Sequence, residues 1–212
     1  MAIVTLSKHL FSAVVFAPYL LLGGTALAAP PFTEHREPLS ALGNLNPASA
    51  SLPDAIAAIE AKAGGKVMDI EFVSDGGQPA YDAVVVTADK VGVARLKVRT
   101  GVVSGTGADA FSIQTLKWEK RRDVTTFEKA TTPLSTAIET VEQAAGASAI
   151  NAGLAKPLTP TNDVLAYNVE IVKDGQVHRV AIDATTGEVI ADPAAMGLGD
   201  RDPGQFLSEA PE

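Results

Sequence analysis

The chain is 212 residues long and carries 17 basic against 25 acidic side chains, a net charge of −8. A field of that sign excludes general binding to nucleic acid or anionic lipid. The absence of cysteine excludes disulfides, thiolate metal sites and a lipid anchor on cysteine.

Residues 1–28 read as a secretory signal peptide. Lys8 precedes an apolar run of about 13 residues, short of the roughly 20 that a membrane span needs. Ala26-Leu27-Ala28 then supplies a small-residue cleavage site. Cleavage there leaves 16 basic and 25 acidic residues, 16 − 25 = −9, and places the protein in the periplasm or outside the cell. No later stretch is apolar enough to span a membrane. Residues 29–50, rich in Pro, Ser, Asn and Ala without a period, read as an extended leader.

At Ser51 the texture changes. SLPDAIAAIEAKAGG offers Ser51 as N-cap, Pro53 and Asp54 in the first turn, and Gly64-Gly65 as a stop. Leu52, Ile56, Ile59 and Ala63 share one helical face. Three β-rich runs follow, KVMDIEFVSD, AYDAVVVTAD and VARLKVRTGVV, separated by turn residues as in an antiparallel meander. Asp69 and Glu71 read as the wet face of the first strand. In the second, Asp82, Val84 and Val86 form a face that is not cleanly polar, so this sheet is expected to be covered on both sides. Residues 93–98 are the candidate sheet edge. Arg95, Lys97 and Arg99 alternate with apolar residues, and they line up as a cationic row.

Residues 104–132 connect this unit to the next. AFSIQTLKWEK alternates as a strand does, and the following Arg121-Arg122-Asp123 reads as a linker. Trp118, the one tryptophan, lies among Lys117, Lys120, Arg121 and Arg122. Aromatic and Arg residues are enriched at binding hot spots, so Trp118 joins Arg95, Lys97 and Arg99 as a candidate interaction residue.

From Pro133 the pattern returns. In PLSTAIETVEQAAGA, Leu134, Ile138, Val141, Ala145 and Gly146 each stand 82 positions after their counterparts (134 − 52, 138 − 56, 141 − 59, 145 − 63, 146 − 64). Glu60 and Glu142 match as well, and they read as solvated rather than catalytic. A weaker run near Ala149, a Pro-containing loop, VLAYNVEIV and VHRVAIDA then follow. Tyr81 and Tyr167 open matching strands at an offset of 167 − 81 = 86. The expected fold class is α+β, two repeats of one helix packed on a small antiparallel β-sheet. Packed units are favoured over separate domains, because 60 to 80 residues lie near the lower limit for independent stability.

The second unit ends in DATTGEV. Asp183 can accept from backbone N–H groups just downstream, Thr186 can add a weaker bond, and Gly187 supplies a positive φ. That is a structural turn closing a sheet. One Asp beside two Thr lacks the 6–8 oxygen ligands of a calcium loop. His178 lies in the preceding strand, and no nucleophile–base pair stands out. Gly105-Thr106-Gly107 lacks the rest of a nucleotide fingerprint. No enzyme, cofactor or metal site is expected. Residues 193–212, rich in Gly, Pro and acid, read as a disordered acidic tail.

Both units resemble the PepSY domain, a small module of peptidase propeptides and exported bacterial proteins. The second, residues 133–192, is similar through the Ala-Ile helix start, the Tyr-x-Val strand, and Val180, Ile182, Asp183, Thr186, Gly187 and Val189. The first, residues 51–103, keeps the alternation and Thr100-Gly101 but loses the Asp and two residues. The resemblance implies a non-catalytic regulatory module whose partner is a peptidase or another exported protein, sometimes as an inhibitor. The alternative is a periplasmic carrier or sensor for a small ligand or cation lodged between sheet and helix.

Overall fold

The computed structural model describes residues 51–105, 110–155 and 164–191. The signal peptide, the leader and the acidic tail expected from sequence lie outside the described residues.

Two helices of equal length carry the apolar repeat. Helix α1 spans Leu52–Ala63 and buries Leu52, Ala55, Ile56 and Ile59. Helix α3 spans Leu134–Ala145 and buries Leu134, Ala137, Ile138 and Val141. Every buried position has its counterpart 82 residues on. Ser51 caps α1, its hydroxyl accepting from Asp54 N at 3.2 Å. Both helices stop at a left-handed glycine, Gly64 (φ 69°) and Gly146 (φ 62°), where a side chain would be strained.

Between and after them run eight strands: β1 Lys66–Asp75, β2 Gln78–Val86, β3 Lys90–Lys97, β4 Val102–Ser104, β5 Phe111–Ser112, β6 Ser148–Leu154, β7 Ala166–Lys173 and β8 Gln176–Asp183. They form one antiparallel sheet in the order β4-β3-β2-β1-β6-β7-β8, with β5 beside β3. The two meanders join through β1 and β6, where Ile70 pairs with Ala152. Both joining strands shift register, β1 between Val67 and Asp69 and β6 between Ala149 and Asn151. Each shift is held from a helix. Glu60 Oε1 accepts from Val67 N at 2.9 Å, and Glu142 Oε1 accepts from Ala149 N at 2.8 Å. The two glutamates therefore bond the backbone at the bulges instead of standing in solvent.

The connecting segment holds a third helix, α2 Trp118–Phe127, after a 3-10 turn at Ile113–Thr115. The alternation in AFSIQTLKWEK extends as strand only through Phe111–Ser112. Leu116, Val124 and Phe127 join the same core as α1 and α3. Residues 93–98 are not an edge. Arg95, Leu96 and Lys97 pair with β4, and Lys90 and Val91 pair with β5. The mixed face of β2 is buried: Val84 is 0% exposed, Val86 6% and Asp82 8%. Asp69, expected to be wet, is buried on that same side of the sheet. It sits opposite Gly153, where a Cβ would come within 2.7 Å of its carboxylate. Among the described residues, no helix is long and apolar enough to cross a membrane.

Candidate functional site at the helix ends

A cleft of about 460 Å³ opens where α1 ends and α3 begins. That volume lies within the roughly 300–1,000 Å³ of small-molecule sites. Glu60, Gly64 and Gly65 bring the end of α1 to it, Pro133 and Leu134 the start of α3, and Tyr167 the sheet. Phe127, Glu128, Thr131 and Thr132 of the connecting segment form one wall, and Lys66, Val67 and Thr87 also line it.

The DATTGEV turn holds that wall. Asp183 Oδ1 accepts from Thr185 N at 2.7 Å and Thr186 N at 2.9 Å. Asp183 N donates to Glu188 O, and Gly187 N donates to Asp183 O, with Gly187 at φ 76°. This conformation leaves Ala184 O facing the connecting segment, where it accepts from both Thr131 N and Thr132 N. Thr131 Oγ1 donates to Thr185 O, and Tyr167 Oη donates to Thr132 O. The turn thus clamps the path from α2 into α3.

Burial and, after it, the Glu60 carboxylate hold the Tyr167 phenol above its ordinary ionisation range. Its counterpart Tyr81 is pushed up to about 12 by burial and then by Glu142. Tyr167 thus lines the cleft as a phenol that donates to Thr132 O.

The candidate interaction residues lie apart from the cleft. Arg95 makes a two-pronged bond to Asp82 on the sheet face turned away from α1 and α3. Arg99 donates to Gln78 Oε1, and Lys97 is exposed. The row is therefore not three equivalent cations, because Asp82 neutralises the first. Trp118 begins α2, 63% exposed, with the Arg122 guanidinium 5.3 Å from its ring centre. His178 is partly buried in β8.

Sequence reasoning missed two features. One is the cleft wall, since residues 128–132 carry no period. The other is a polar stripe across the sheet. Arg95, Asp82 and Glu71 are successive cross-strand neighbours, as are Asn151, Glu170 and Arg179. Arg179 pairs with Glu170, which also accepts from Asn151 Nδ2 at 2.7 Å. Glu71, half-buried, has its carboxyl raised above 4.5 by burial and then by Asp82. Among the described residues, no group of three or more His, Cys, Asp or Glu is placed to hold a metal.

The turn, α3 and β6–β8 coincide with a known module. Residues 133–192 match PepSY, the family described as "Peptidase propeptide and YPEB domain". The match stops short of α1 and β1–β5. A crystal structure described as a "putative lipoprotein" from Clostridium difficile 630 is similar at 18% identity and a TM-score of 0.39. The similarity covers 67% of this chain and 91% of that one. Comparison with curated proteins gave no match.

Proposed function

We propose that the protein is a non-catalytic exported module that binds and regulates another exported protein, with a peptidase as the leading partner class. The observation that carries this reading is the PepSY match over residues 133–192. The signal-peptide pattern of residues 1–28 supports export. The net charge of −8 turns the protein away from nucleic acid and anionic lipid.

The two halves are read as two copies of one unit, the first diverged further. The 82-residue spacing of buried helix positions, bulges and bulge-bonding glutamates supports this. Lys97, Arg99 and Trp118, with Arg95 behind its Asp82 pair, are the proposed contact residues. Purified protein mixed with a peptidase exported by the same cell should form a complex that survives moderate salt. Replacing Arg95, Lys97, Arg99 and Trp118 together by Ala should weaken it at least tenfold. Unchanged affinity in that variant would remove these residues from the interface.

A second reading, a small-ligand carrier or sensor, is favoured by the cleft alone. A thermal-shift panel of metabolites and cations tests it, and a flat response across the panel counts against it.

A further inference from the structure

The two ends of the helix pair are finished differently, and the cleft opens at the unfinished one. At the closed end the chain supplies both caps. Ser51 accepts from the first turn of α1, and Lys173 Nζ donates to Ala145 O at the end of α3, 2.9 Å away. Such groups answer the unsatisfied N–H and C=O groups that every helix leaves at its ends.

At the open end the corresponding positions hold neither group. Ser51 plus 82 is Pro133, which caps α3 without a side-chain hydrogen bond. The cross-strand pairs Lys66–Val86 and Ser148–Val172 correspond (148 − 66 = 82, 172 − 86 = 86), so Thr87 stands where Lys173 does. Thr87 Oγ1 is occupied within its own turn by Lys90 N and Lys90 O. Pro133 and Thr87 both line the cleft.

The charged lining has two signs, Glu60 and Glu128 against Lys66, beside apolar lining that includes Val67, Phe127 and Leu134. We infer that this cleft binds a small zwitterion, an amino acid or short peptide. Its ammonium takes the place of Lys173 near the end of α1 and Glu60, and its carboxylate takes the place of the Ser51 hydroxyl at the start of α3. This deepens the small-ligand reading and rests on it.

The experiment is a titration of the purified protein, followed by amide NMR and thermal melting. The probes are norvaline, trialanine, pentanoate, pentylammonium and pentanol. The zwitterions are expected to shift the Gly64, Gly65, Thr131 and Thr132 amides saturably. Each singly charged analogue is expected to bind about tenfold more weakly, as befits losing one charge-assisted contact. The double variant Thr87→Lys, Pro133→Ser gives the open end the residues of the closed end. It should melt higher and no longer respond. Glu60→Gln, which keeps an acceptor for Val67 N, should weaken binding without unfolding the protein. Norvaline and trialanine together separate a free amino acid from a peptide, and a response to either supports the inference. Equal or tighter binding of pentanoate or pentylammonium overturns it while leaving the small-ligand reading standing. Silence from all five probes overturns it, and a flat response across the metabolite and cation panel as well removes the small-ligand reading. Zwitterion binding that persists undiminished in the double variant and in Glu60→Gln removes it from this cleft.

Discussion

Ile70 and Ala152 pair across the middle of the sheet, and they stand 152 − 70 = 82 residues apart, the spacing of the helix repeat. The join between the meanders therefore brings corresponding positions face to face. The two helices lie side by side, and the end of one comes close to the start of the other.

The bulge bonds should carry comparable weight in the two halves. Glu60→Ala and Glu142→Ala each strip a partly buried backbone N–H of its acceptor. Each is expected to cost about 1–3 kcal/mol in urea unfolding, with the Gln variants milder. A large loss in one half and none in the other would contradict a shared structural role.

Asp183 holds its turn through two backbone N–H groups, those of Thr185 and Thr186. Asp183→Ala removes the acceptor for two N–H groups and should cost about 1–2 kcal/mol. Hydrogen exchange at Thr131 and Thr132 should quicken with it, since Ala184 O anchors both. Unchanged exchange there would separate the turn from the cleft wall.

Asn168 is a polar group out of place. It is 3% exposed and its Nδ2 has no hydrogen-bond partner among the described residues, while Gly153 and Ala181 flank it across the strands. Tyr81 and Tyr167 set the 86-residue correspondence, so Asn168 and Ala181 stand where Asp82 and Arg95 make their ion pair. Asn168→Leu should be neutral or stabilise by up to about 1 kcal/mol. Destabilisation beyond that size would assign the amide a buried partner.

Glu71 gives a pH dependence of known sign. Its unfolded carboxyl titrates near 4.5, and its folded one higher, through burial and then Asp82. Below 4.5 both states are protonated and the group is neutral to stability. As the pH rises through the folded value, the buried charge penalises the folded state. Glu71→Gln should therefore match wild type below pH 4.5 and melt higher above it. A variant that melts lower at neutral pH would assign the carboxylate a stabilising contact.

The legible parts of the fold were those with local signals. Ser51, Pro53 and Gly64 punctuate α1, and four apolar positions at helical spacing recur after Pro133. The strands of both meanders showed through turn residues such as Gly76-Gly77 and Asp174-Gly175. Helix α2 was hidden because it buries little apolar surface beyond Val124 and Phe127, and Lys117 at its start gives no cap. The false edge at residues 93–98 had a non-local cause, for β4 returns only after Gly101 and β5 from beyond residue 109. Glu60 and Glu142 looked solvated because the N–H groups that donate to them, those of Val67 and Ala149, lie on the following strands, which periodicity does not reveal. The cleft was invisible for the same reason, since its walls come from four separate stretches.

The most direct test of the regulatory reading is retention of an exported peptidase on the immobilised protein. Exported proteins of the source cell would be passed over it at low and moderate salt, and any retained peptidase assayed with and without added protein. The account predicts one peptidase held at moderate salt, with its activity altered by stoichiometric addition. Loss of all binding at moderate salt, or a retained peptidase whose activity does not change, would contradict it.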